Sequence, residues 1–329
     1  MARQRDGLQD WETGREELTV GTLHRLVLDF GKEEALKRVD ADERHLVRIA
    51  ADVLAEETNE IGVTYSGFCQ AALPHKRLAE DAPWIRRSEQ ITLMVEPGRL
   101  LRPGAAEPQL MGVPYGSRAR LILLYLQTRA LRSNSRDIEL GRSMREWLKR
   151  MGISHGGKSY AEVRDQAARL STCKLTFYYS ASRGRTGFSN ERIVDDGMLM
   201  MDDDATDDNR QGSLFIENVR LSESFFAALR KHPVPIWEPA LQHIKNNSMA
   251  LDLYVWLAYR LHILQKPTRV HWGALHGQFG AGFKALRHFR PTFIDNLRLA
   301  LATYPDARVD EIEDGVILYP SRPPVAKLA

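Results

Sequence analysis

RARLILLYLQTRAL (118–131) and MALDLYVWLAYRLH (249–262) read as two versions of one apolar helix, and the elements after each match in kind and order. A short strand comes next, DIEL at 137–140 and TRVHW at 268–272, and then a helix, SMREWLKRMG at 143–152 and GALHGQFG at 273–280. A longer helix carrying basic residues follows, SYAEVRDQAARLS at 159–171 and PTFIDNLRLALAT at 291–303. Strand material closes each unit, KLTFYYS at 174–180 and ARVDEI with GVILYP at 307–320. The offset holds at about 131 to 134 residues through five elements, which implies one supersecondary unit built twice. Helix, strand, helix, turn, helix and hairpin is the order of a winged helix, whose last helix enters the DNA major groove while the hairpin lies along the backbone.

The expected fold class is therefore α+β, two tandem winged-helix domains related by internal duplication, with an N-terminal helical extension. The boundaries fall at 1–60 for the extension, 61–222 for the first winged helix and 223–329 for the second; a chain of 329 residues is long for one core. Within the extension, residues 18–57 read as two amphipathic helices, LTVGTLHRLVLDFGKEEALKRV and DERHLVRIAADVLAEE. They meet at the Asp40 to Asp42 turn, and Leu46, Ile49, Ala50 and Leu54 lie on one stripe. ITLMVEP at 91–97 reads as a strand.

Charge narrows the class of partner. The net charge is only +3, yet residues 112–192 hold 16 basic and 6 acidic side chains, whereas 193–217 hold 1 and 8. A basic block in the middle of the chain points to a polyanion, because each Lys or Arg that meets a phosphate releases a counterion. No apolar run reaches membrane-spanning length, and the polar start MARQRDGLQDWETGREE lacks the apolar core of a signal peptide; a cytoplasmic, plasmid- or nucleoid-associated protein is expected. Cys69 and Cys173, about a hundred positions apart, make neither a disulfide framework nor a metal site.

The candidate DNA-contacting residues lie on the two longer helices and the segments beside them. In the first helix Tyr160, Val163, Ala167 and Leu170 form one apolar stripe for the core, which leaves Arg164 and Arg169 for a groove. In the second, Phe293, Leu297 and Ala300 face inward, and Thr292, Asn296 and Arg298 face outward after an approach segment carrying Lys284, Arg287, His288 and Arg290. Arg favours guanine edges and Asn adenine edges, so Arg298 and Asn296 are candidate readers. Lys174, Arg183 and Arg185 belong to the first hairpin.

MGISHGGKSY (151–160) contains Gly152, Gly157, Lys158 and Ser159 in the spacing of a nucleotide-binding loop. A working loop of that kind follows a buried apolar strand, but SMREWLKRM has a helical period. The glycines are therefore expected to end one helix, with Ser159 as the N-cap of the next and Glu162 completing a capping box. Lys158 and the amides of that helix start suit a phosphate of DNA. No catalytic residue, metal or cofactor is expected: the closest histidine pair, His271 and His276, lacks the spacing of a nickase metal site, and MDDDATDDN (201–209) lacks the glycine and distal glutamate of a calcium loop. That acidic run reads as a solvated loop between wing strands.

GVPYGSRARLILLYLQTRAL, ELGRSMREWLKRMG, VRDQAARLSTCKLTF, LDLYVWLAYRL, QFGAGFKALRHFRPTF and YPSRPPV resemble the RepA replication initiators of bacterial plasmids, over roughly residues 60 to 326. The resemblance implies a non-enzymatic protein that binds double-stranded origin DNA at repeated iterons, promotes melting of the adjacent duplex, and recruits the host initiator and replicative helicase. It also implies a homodimer in equilibrium with a monomer. A winged-helix transcriptional repressor without initiator activity is the alternative, since both need the same groove contacts.

Overall fold

The computed structural model describes residues 20–88, 90–102, 104–141, 143–181, 185–202 and 213–325. Three helices open it, α1 (Val20–Phe30), α2 (Lys32–Lys37) and α3 (Arg44–Leu54). The long first helix expected of the extension is interrupted at Gly31, whose φ of 76° takes the backbone out of the helical region, so α1 and α2 turn against each other. Leu46, Val47, Ala50 and Val53 of α3 are buried, close to the stripe that periodicity indicates.

The first of the repeated units is preceded by β1 (Ile61–Tyr65), α4 (Ser66–Gln70), β2 (Trp84–Arg87), β3 (Ile91–Glu96) and the ribbon of β4 (Gly98–Leu100) and β5 (Gln109–Met111). The unit itself runs α5 (Gly116–Ser133), β6 (Asp137–Glu139), α6 (Met144–Arg150), α7 (Gly157–Thr172), β7 (Lys174–Ala181), β8 (Arg185–Arg192), β9 (Val194–Asp202) and β10 (Ser213–Leu221). After α8 (Glu223–Lys231), β11 (Pro233–Trp237) and α9 (Glu238–Ile244), the second unit runs α10 (Ser248–Arg260), β12 (Thr268–His271), α11 (Trp272–Phe279), α12 (Leu286–Ala302), β13 (Val309–Ile312) and β14 (Gly315–Leu318).

Both units close their sheets in the same way. The strand after the first helix pairs antiparallel with the last strand of the unit, β6 with β10 (Val219 opposite Ile138) and β12 with β14 (Val270 opposite Val316). The last strand pairs in turn with the strand before it. The sheet orders are thus β6-β10-β9 and β12-β14-β13.

One correspondence differs from the expected duplication. KLTFYYS does not take the place of ARVDEI: β7 and β8 form a hairpin inserted ahead of the closing one, and β7 pairs with β3 in a sheet ordered β2-β3-β7-β8. Burial explains the choice. Leu175 and Phe177 of β7 lie in the core beside Leu93 and Val95 of β3, and Phe177 stacks edge-on against Tyr65 and Phe68. Strand β1 pairs along its whole length with β11, Ile61 opposite Trp237 through Tyr65 opposite Pro233, so the segment before the first unit shares a sheet with the one leading into the second.

The equivalent helices α5 and α10 are also joined directly. Arg120 donates from Nε to Asp252 Oδ1 at 2.6 Å and from Nη2 to Oδ2 at 2.7 Å. Its remaining donors reach the carbonyls of Leu73, Pro74 and Gly116. Both side chains are buried. Next to the pair, His75 shares a hydrogen bond of 2.9 Å with the Ser248 hydroxyl. Burial, reinforced by the Arg120 charge, lowers the His75 pKa to about 4 from the ordinary 6.5. Between those values the unfolded chain binds the proton and the folded chain does not. Stability is therefore expected to fall as pH drops from about 6.5 to about 4, by on the order of 3 kcal/mol in total. Denaturant midpoints measured across that range should show a slope that His75→Gln flattens.

Candidate nucleic-acid interface

The apparent nucleotide loop is a junction between two helices. Helix α6 ends at Arg150, Gly152 takes the left-handed φ of 65°, and the Ile153 amide donates back to the Leu148 carbonyl at 2.8 Å, as the glycine spacing leads one to expect. The residues before Gly152 are helical, so the buried strand of a nucleotide-binding loop is not there. A second constraint acts on the same glycine: a Cβ at Gly152 would sit 2.3 Å from Gln242 Oε1 of α9.

The expected capping box does not form. Helix α7 starts three residues earlier than a Ser159 cap requires, with Gly156 at the N-cap and no side-chain cap hydrogen bond. Glu162 is unavailable for that role because its Oε2 accepts from Arg118 Nε at 3.2 Å. The first-turn amides of a 16-residue helix thus face outward without a side-chain acceptor, beside the exposed Lys158 and the half-buried Ser159.

Two cations that helical periodicity does not single out complete this pole. Arg118, near the start of α5, keeps Nη1 buried with no hydrogen-bond partner, and the expected contact Arg164 of α7 leaves Nε in the same condition. Lys245, on the link from α9 to α10, donates from Nζ to the Gly152 carbonyl at 2.7 Å and to Gln242 Oε1. Burial, and then the Arg118 charge, lower the Lys245 pKa. Arg118 and Lys245, with Lys158 at the open N-terminus of α7, offer a seat for an anion, whereas Arg164 lies two turns further along the helix. No sequence signal points to Arg118 and Lys245, because one is hidden in an apolar helix and the other stands 87 residues from Lys158.

Arg169 leaves the candidate set. It is 2% exposed, its Nε donates to both Asp165 oxygens, and its Nη2 donates to Glu80 Oε1 at 2.9 Å. The guanidinium ties α7 to the loop before β2 and cannot reach a groove. Lys174 is exposed but lies 3.4 Å from Glu96 on the neighbouring strand. Arg183 lies outside the described residues. Arg185 enters them only as backbone, opposite Ala181 in the β7–β8 ladder.

The second pole is the start of α12, which begins at Leu286 and runs through Pro291 instead of starting there. Lys284, Arg287, His288 and Arg290 are all exposed. Arg287 Nε donates to His288 Nε2 at 3.1 Å, and the Arg290 guanidinium lies 5.3 Å from the centre of the Trp272 ring. Further along the helix the outward assignments change. Asn296 is buried, and it and Thr292 line a cavity against the loop before β2. Arg298 is 29% exposed with its guanidinium 3.9 Å from Glu43, the residue that precedes α3. The extension accounts for this: α1 and α3 lie along the C-terminal half of α12, and His24 Nε2 meets the Ala302 carbonyl at 3.0 Å. An adenine edge needs both the donor and the acceptor of an Asn, but Asn296 Nδ2 already donates to the Thr292 carbonyl at 2.6 Å.

The closing hairpins are acidic where they are described. Glu313 and Asp314 occupy the β13–β14 turn, with Arg269 and His271 paired to Asp314, and Asp195, Asp196 and Asp202 lie on β9. The clustered cations stand instead at the starts of the two longer helices. Among the described residues no group of His, Cys, Asp and Glu could hold a metal ion, and no helix is long and apolar enough to cross a membrane. Both cysteines are buried thiols.

The chain is similar to two crystal structures of domains 2 and 3 of RctB. A selenomethionine derivative matches with a TM-score of 0.47 at 14% identity, covering 75% of this chain and 92% of that one. A second structure matches with a TM-score of 0.44 at 13% identity, covering 76% and 93%. No curated protein matches the chain. The family model described as plasmid encoded RepA protein matches residues 113–272, from the approach to α5 through β12. Over that stretch, which holds the whole first unit and the start of the second, the chain is similar to the family of plasmid-encoded RepA proteins.

Proposed function

We propose that the protein is a plasmid replication initiator that binds duplex origin DNA at iterons through two winged helices, without catalytic chemistry of its own. The observation that carries this reading is the pair of like-built units, each with its longer helix opening on a cluster of cations. Phosphate contacts fall to Lys158, Arg118 and Lys245 at the α7 pole. The α12 pole, with Lys284, Arg287, His288 and Arg290, supplies groove contacts. The acidic closing hairpins favour a mode in which the helix starts approach the duplex and the wings stand off it. The match to plasmid-encoded RepA over 113–272 supports the replication role, and recruitment of the host initiator and helicase belongs to the same reading.

Footprinting on the DNA flanking the gene tests it: protected repeats spaced by whole helical turns are the expected result, and protection indifferent to sequence overturns the initiator assignment. In the same assay Arg287→Ala is expected to weaken binding to the protected repeats by about 1–3 kcal/mol more than binding to random duplex. Equal loss on both DNAs would make Arg287 a phosphate contact only.

A further inference from the structure

Arg298 follows Arg287 by eleven residues, close to three full turns of α12, so the two guanidinium groups leave the helix on the same side, about 16 Å apart along its axis. A helix seated in a major groove about 12 Å wide can meet phosphates at both groove edges with that spacing. The two arginines differ in their surroundings. Arg287 is exposed, whereas Arg298 is turned toward the N-terminal extension. Among the described residues none of the Arg298 donors has a hydrogen-bond acceptor, and its one ionic neighbour is Glu43, with Oε1 3.9 Å from Nη1. At that distance the pair is held by charge without a hydrogen bond.

Glu43 is poorly placed for stability. It is the N-cap of α3, where a carboxylate ordinarily accepts from the first turn, yet no side-chain capping bond forms. The carboxylate is only 18% exposed. Burial raises its pKa, the Arg298 charge opposes that rise, and Asp42 and Asp40 add to it. The extension keeps it there all the same: Leu46, Val47 and Ala50 of α3 lie in the core, and His24 of α1 meets the Ala302 carbonyl at the end of α12. A carboxylate part-buried without hydrogen bonds opposes folding, so its place beside the DNA-facing stripe of α12 calls for a reason other than stability.

We propose that Glu43 occupies, in the free protein, the place that a DNA phosphate takes in the complex. Its carboxylate neutralises Arg298 at the covered end of α12, and a duplex phosphate displaces it by accepting a bidentate pair of hydrogen bonds from the guanidinium. The extension is thereby an intramolecular competitor that weakens the grip of the second unit on any duplex. This inference rests on the duplex reading proposed above.

Fluorescence anisotropy of the full chain with a labelled random duplex at low salt reads the competition. Glu43→Gln removes the competing charge and keeps the shape, and it is expected to tighten binding by roughly three- to tenfold. Glu43→Asp keeps the charge and is expected to bind within about twofold of wild type. The gain must pass through Arg298: Arg298→Ala and Arg298→Ala with Glu43→Gln are expected to bind alike, within about twofold. Circular dichroism melts check that every variant retains the fold. Binding by Glu43→Gln no tighter than wild type, or a gain of equal size with and without Arg298, overturns the proposal. Duplex bound equally by wild type and Glu43→Gln removes this competitor alone, whereas a wild-type chain that binds no duplex overturns the duplex reading and the competitor with it.

Discussion

Arg120→Met is expected to destabilise the protein by about 3–5 kcal/mol, because it leaves the Asp252 carboxylate buried at 6% exposure without its counter-charge. Five hydrogen bonds are lost with it, two to Asp252 and three to carbonyls of the Leu73–Pro74 loop and Gly116. Urea denaturation reads the loss directly. A companion variant separates charge from packing: Arg120→Met with Asp252→Leu removes both charges and should recover much of the stability, since a buried pair replaced by apolar groups of similar volume is often close to neutral. The carbonyls of Leu73 and Pro74 still lose their donor in the double variant, so recovery is expected to be incomplete. If Arg120→Met alone costs under about 1 kcal/mol, Asp252 is reached by water and the link between α5 and α10 is not the dry pair described.

The same pair shows where sequence reasoning stops. The recurring order of elements is legible because it is written in periodicity: α5 and α10 each present a long apolar face, and a strand and two helices follow each in the same order. What periodicity cannot express is pairing between the two units. Arg120 and Asp252 stand inside those two apolar helices, 132 residues apart, and either alone reads as a stray charge. The β7–β8 insertion escapes for a related reason. KLTFYYS has the alternation of a wing strand, and alternation states that a strand has a buried face without saying which neighbour covers it; the cover is β3. Site residues divide by position along their helices. Exposed cations at the helix starts are legible, whereas Arg169, Asn296 and Arg298 sit deeper, where loops and the extension cover helix faces that a wheel drawn for one helix counts as free.

Lys158→Ala is expected to lower the slope of log affinity against log salt by about one on any duplex, and Lys158→Ala with Lys245→Met to lower it by about two, with roughly a hundredfold loss of affinity at low salt. The double variant is the informative one. Lys158 lies on the first unit's longer helix and Lys245 on the link to the second unit, yet Lys245 Nζ is held 2.7 Å from the Gly152 carbonyl at the turn that leads into α7. A single phosphate seat built from both predicts that the second substitution still reduces the slope in the background of the first. The pH dependence follows from the lowered pKa of Lys245, which sheds its proton at lower pH than an ordinary lysine. Raising the pH through the alkaline range is therefore expected to weaken wild-type binding earlier than binding by Lys245→Met, whose charge is already absent. Slopes unchanged in the double variant would remove the α7 pole from the interface and leave the basic start of α12 as the remaining duplex contact, a geometry in which only one of the two like-built units touches DNA.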